Sequence, residues 1–110
     1  MSDLTPPASL VVGALIRQVA AEGGVATVLA RGHAQGSALV LVHLARDGGV
    51  RAFERVPDWS GTPGWRLAAE GQEAVDRFCA RQRSFDPDLW IVELSVPKPE
   101  RFVAGLPATD

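Results

Sequence analysis

Apolar positions Val12, Leu15, Ile16 and Val19 recur at three- and four-residue spacing, with Arg17, Gln18 and Glu22 on the other side. This spacing predicts an amphipathic helix over 8–22. Gly23-Gly24 supplies the left-handed residue that ends it. The period then changes. Residues 25–30 are short, β-branched and bounded by glycines, which predicts a strand. After a turn at 31–36, residues 37–46 are apolar on both faces through Leu39, Val40, Leu41, Val42 and Leu44. A strand buried on both sides belongs in the middle of a sheet.

Asp47-Gly48-Gly49 reads as a hairpin turn, because these residues accept the positive φ that tight turns require. The returning strand, 50–56, alternates Val50, Ala52 and Glu54 with Arg51, Phe53 and Arg55, a half-solvated pattern. Proline and glycine make 57–64 a loop, and 65–68 add a short strand. A second helix is expected over 70–83, with Ala74, Val75, Phe78 and Cys79 on one stripe and a Glu73–Arg77 pair on its wet side. Phe85-Asp86-Pro87-Asp88 breaks it, since the residue before proline avoids helical angles. Residues 89–96 form the last strand, which Pro97 and Pro99 end. A turn of helix carrying Phe102 follows.

The order helix, three or four strands, helix, strand predicts an α+β fold. It consists of a single mixed, mostly antiparallel sheet of four to five strands with two main helices packed on it. Residues 1–7 form an arm, 8–104 the domain and 105–110 a tail. Because the central strand is apolar on both faces, its second face requires a cover. A homodimer partner or the C-terminal segment is expected to supply it.

Composition narrows the functional classes. At 110 residues, 46% apolar and 22% charged, the chain has the make-up of one globular domain. A net charge of -2 opposes phosphate-backbone binding, which needs clustered cations. The longest apolar run, 38–45, is far short of a membrane span. The acidic first residues and the single cysteine, Cys79, fit a cytoplasmic protein without disulfides. Ten Arg against one Lys, with no Tyr or Asn, reads as the imprint of a GC-rich genome and not as a binding signal.

Two stretches carry a resemblance. One is Arg83-Ser84-Phe85-Asp86-Pro87-Asp88-Leu89-Trp90-Ile91-Val92-Glu93-Leu94. The other is Gly24-Val25-Ala26-Thr27-Val28-Leu29 with the Gly32 and Gly36 loop and the apolar strand after it. Together they resemble a bacterial domain-of-unknown-function family numbered 1491, over roughly residues 8–104. The resemblance implies a stand-alone cytoplasmic domain and brings no catalytic residue or cofactor with it.

The Phe-Asp-Pro-Asp-Leu-Trp stretch has two readings. In one, Arg83, Asp86 and Asp88 orient a ligand or exchange protons at a pocket mouth. In the other they build a helix-to-strand corner, with Asp86 in a side-chain turn and Trp90 in the core. Trp59 either anchors a partner or a planar ligand, or pins its own loop to the sheet. The glycine loop at 32–36 joins two strands and lacks phosphate-loop spacing. His33 and His43 have no companion at ligand spacing, so no metal site is expected, and Cys79 reads as an inert thiol. No catalytic set emerges and no cofactor is called for. The leading expectation is a non-enzymatic interaction or regulatory module, with a homodimer or protein partner and no nucleic acid or membrane. The alternative is a ligand binder or small enzyme using Arg83, Asp86 and Asp88, with Trp59 or Trp90 at the rim.

Overall fold

The computed structural model of the chain describes residues 6–56 and 64–96. Its elements are α1 (Ala8–Ala21), β1 (Val25–Ala30), β2 (Leu39–Leu44), β3 (Val50–Val56), β4 (Gly64–Glu70), α2 (Gln72–Phe85) and β5 (Trp90–Ser95). The expectations for Trp59, the turn at Phe102, the prolines at 97 and 99 and the tail fall outside the described residues, as does most of the arm.

The five strands form one mixed sheet in the order β1-β5-β2-β3-β4. β2 runs parallel to β5, and the other three pairings are antiparallel. The doubly apolar strand therefore lies at the centre, where its pattern places it. Leu39 and Leu41 of β2 point to one side, with Ala8, Val12, Leu15 and Val19 of α1 and with Phe53, Trp90, Val92 and Leu94. Val40 and Val42 point to the other, with Val75 of α2 and with Val50, Ala52 and Ile91. Each fully buried aliphatic side chain of this kind stabilises the fold by about 1.5–3 kcal/mol.

One helix per face changes the reading of the second cover. α2 lies on the side of the sheet opposite α1, packed chiefly on β3 and β4, and its Val75 shares one buried cluster with Val40 and Val42, so a helix of this chain contributes to the cover of that face. The half-solvated pattern expected of β3 also fails at Phe53, which is 3% exposed. Ala52 and Phe53 point to opposite faces, and each face carries a helix. A register irregularity between these two residues marks the place on the β4 side.

The boundaries of α2 shift by two residues at each end for physical reasons. Glu70 stays in β4, facing Arg51 across the ladder. Gly71 then turns the chain with φ 95, a conformation that favours glycine. At the far end the residue excluded from the helix by Pro87 is Asp86, with φ -136. Phe85 stays helical. The expected Glu73–Arg77 pair is not among the ion pairs of the described residues. The four-residue contact on this helix joins Gln72 Nε2, as donor, to Asp76 Oδ1 at 2.9 Å.

Candidate functional site: the corner that joins two loops

The two stretches singled out in the sequence meet in space, where the end of α2 turns into β5 beneath the loop between β1 and β2. The turn is built locally. The Asp86 N–H closes the helix on Gln82 O at 2.8 Å. The Asp88 N–H donates to Asp86 Oδ1 at 3.0 Å, and the Leu89 N–H to Asp86 O at 3.1 Å. A short carboxylate side chain that accepts from the amide two residues on is what an Asx turn requires.

Arg83 lies across this turn as a clamp. Its Nη1 donates to Leu89 O at 2.7 Å and to Pro87 O at 2.9 Å. A third approach, to Arg31 O at 3.4 Å, is the weak member, because one Nη has only two hydrogens to give. The guanidinium thus binds carbonyls that neither helix nor sheet would otherwise serve, and it ties the corner to the β1–β2 loop.

That loop is stitched back in return. The His33 N–H donates to Asp88 O at 3.0 Å, and Trp90 Nε1 donates to His33 O at 2.9 Å. The Arg31 guanidinium sits 5.4 Å from the centre of the Trp90 ring, a cation–π distance. Gly32 makes this approach possible. A Cβ there would stand 2.5 Å from Trp90 Cδ1 and 2.8 Å from Asp88 C, with the Asp88 carbonyl oxygen nearer still. The loop also receives α1, since the Ala8 N–H donates to Gly36 O at 2.8 Å and Ser9 Oγ donates to Ala34 O at 2.7 Å.

Arg83 and Asp86 are therefore brought together, and both bond to the backbone. Asp88 is exposed. Trp90 is 4% exposed and belongs to the core under α1. Trp59 lies outside the described residues. Of the other candidates, His33 Nδ1 accepts from the Gln35 N–H at 3.1 Å, a local turn bond. His43 is 2% exposed in β2. Among the described residues no three His, Cys, Asp or Glu side chains come close enough to hold a metal ion. No helix of the described residues is long and apolar enough to cross a membrane. Burial pushes the Cys79 thiol up from its ordinary value, and the charge of Asp76 adds to the effect. Both disfavour the thiolate that reacts.

A mixed five-stranded sheet with one helix on each face, locked by a clamped corner between α2 and β5, defines a small α+β domain. The chain belongs to the family described as Protein of unknown function (DUF1491), which it matches over residues 7–104. No curated protein matches it. Among solved structures it is similar to protein Atu0922 from A. tumefaciens, determined in solution, with 26% identity and a TM-score of 0.77. That match covers 96% of this chain and 99% of the other. It is also similar to a DUF1491 family protein from Caulobacter crescentus in a crystal structure, with 26% identity and a TM-score of 0.76 over 92% and 96% of the two chains. An NMR structure of a DUF1491 family protein from the same organism gives 25% identity and 0.73 over 92% and 94%.

One surface that the residue pattern did not single out is the outer edge of β1, which among the described residues pairs with no strand but β5. Val25 is 61% exposed and Leu29 53%. Leu29 stands where the register with β5 slips, between Val28 and Ala30. The signal in the sequence was the composition Val-Ala-Thr-Val-Leu-Ala, apolar apart from one threonine, but only the strand order reveals that it borders solvent.

Proposed function

We propose that the protein is a non-enzymatic interaction module of the bacterial cytosol, and that it binds by strand addition at the edge of β1 to a second copy of itself. The observation that carries this reading is the contrast between the two edges of the sheet. β4 is a guarded edge: Arg66 pairs with Glu54 and Glu70 with Arg51, placing charges along it. Charged edge strands discourage pairing with other chains. β1 has six residues, no charge and no proline, and it offers exposed Val25 and Leu29 at a sheet edge that no other strand of the described residues pairs. Antiparallel pairing of β1 with its own copy opposes no like charges, and the net charge of -2 per chain adds little repulsion between copies. The bacterial setting rests on the relatives from A. tumefaciens and Caulobacter crescentus. The cytosolic one rests on the lone thiol of Cys79.

Sedimentation velocity tests the proposal, comparing the wild-type chain with the double variant Val25→Lys/Leu29→Lys from about 10 µM to about 1 mM. Both side chains are more than half exposed, so the fold tolerates the change. A concentration-dependent dimer that the double variant lacks supports the proposal. A wild type that stays monomeric throughout the range, or a dimer indifferent to the substitutions, overturns it. The alternative, a ligand held at the Arg83, Asp86 and Asp88 corner, is weaker. A ligand there would have to take Arg83 from Leu89 O and Pro87 O, leaving Asp88 as the outward-facing charge of the three.

A further inference from the structure

A groove of about 310 Å³ runs between α2 and the outer strand β4, at the opposite edge of the sheet from β1 and reaching Gln82 near the corner. Its lining includes Ala68, Ala69, Ala74, Arg77, Phe78 and Arg81. The two arginines stand four residues apart, on one side of the helix. Among the described residues neither makes an ion pair or a side-chain hydrogen bond. This sets them apart from Arg51, Arg66 and Arg83, whose guanidinium groups are each bonded to a carboxylate or to carbonyls. The acidic residue placed to pair with Arg77 on its own helix, Glu73, does not do so.

Two adjacent unpartnered guanidinium groups over a floor of alanines and a phenylalanine combine two kinds of complementarity. Planar forks of N–H donors match the oxygens of a carboxylate or phosphate. The small apolar floor accepts a flat hydrocarbon body, and the volume lies at the lower end of the range for small-molecule sites. We infer that this groove binds a small organic oxyanion, with the charged head between Arg77 and Arg81 and an aromatic-sized apolar body on Ala68, Ala69, Ala74 and Phe78. The site is independent of the β1 edge, so either can fail without the other.

Two-dimensional amide NMR of the ¹⁵N-labelled full chain tests this with three probes: phenyl phosphate, benzoate and inorganic phosphate. Phenyl phosphate or benzoate, or both, should give saturable shifts confined to amides of β4 and of α2 between residues 74 and 82. Which of the two binds tells a phosphate from a carboxylate source. Inorganic phosphate should bind at least about tenfold more weakly, because it leaves the apolar floor uncovered. Arg77→Gln/Arg81→Gln should weaken binding by about tenfold or more while leaving the unliganded spectrum otherwise unchanged. Ala74→Glu, which puts a carboxylate into the groove, should abolish it. Shifts that do not saturate with either organic probe overturn the inference. So do shifts that map elsewhere, inorganic phosphate binding as tightly as the organic anions, or affinity unchanged in the double variant.

Discussion

Replacing Gly32 by alanine distinguishes an ordinary loop from a load-carrying joint by the sign of its effect. Gly32 is not among the glycines with positive φ, so its backbone is open to any residue. In an unconstrained loop, glycine to alanine at such a position stabilises by about 0.4–1 kcal/mol, because the unfolded chain loses freedom. Here the new methyl would meet Trp90 Cδ1 at 2.5 Å and Asp88 C at 2.8 Å, and both belong to the corner. The loop must move away. That movement stretches the bonds from the His33 N–H to Asp88 O and from Trp90 Nε1 to His33 O, each worth about 1 kcal/mol net. Overpacking adds about 1–3 kcal/mol, so the expected loss is about 2–4 kcal/mol. For 110 residues the unfolding entropy is about 0.23 kcal/mol/K, and the midpoint should fall by about 9–17 °C. Thermal unfolding by circular dichroism and urea titration both read this. Gly36→Ala is the internal control, since its Cβ would find nothing nearer than 3.5 Å. A Gly32→Ala variant as stable as the wild type would refute the joint.

Three further outcomes follow from the same structure. Arg83→Met should cost about 2–3 kcal/mol in urea titration, since it strips a charged donor from Leu89 O and Pro87 O; Arg83→Lys should recover only part, having no fork. Cys79 should react with a disulfide reagent near pH 8 more slowly than the same thiol in the urea-unfolded chain, because its thiolate is disfavoured by burial and by Asp76. The raised value has a second consequence, with the sign fixed by linkage. The folded chain holds this proton more tightly, so the contribution is complete below the unfolded thiol's range and is lost as pH rises through the folded one. Stability of the wild type should therefore fall over that alkaline window more than that of Cys79→Ala, which urea midpoints at successive pH values would reveal.

Much of the fold was legible because its period signals were strong. The apolar stripe of Val12, Leu15 and Val19 and the doubly apolar run Leu39–Val42 each have one economical interpretation, a helix against a sheet and a strand at its centre. Tertiary placement was not legible. Nothing in the run 39–42 says that α2 contributes to the cover of its second face, because that depends on the crossover from β4 through α2 to β5. Phe53 reads as half-solvated until both of its neighbouring layers are known. The corner was legible as a turn, through Asp86 and Pro87, but its partner was not: Gly32 and His33 lie more than fifty residues away, and only the pairing of β1 with β5 brings them alongside. The openness of β1 is likewise a property of strand order and not of its residues.

Amide hydrogen exchange of Val25 to Ala30 at several protein concentrations reads directly whether β1 is a pairing edge. In an antiparallel strand alternate residues turn their N–H groups outward, so about half of these amides should gain protection as concentration rises, in step with the sedimenting mass. The same amides should lose that dependence in Val25→Lys/Leu29→Lys. Exchange at β1 that is identical across the concentration range, in a chain whose mass stays that of a monomer, would contradict pairing at that edge.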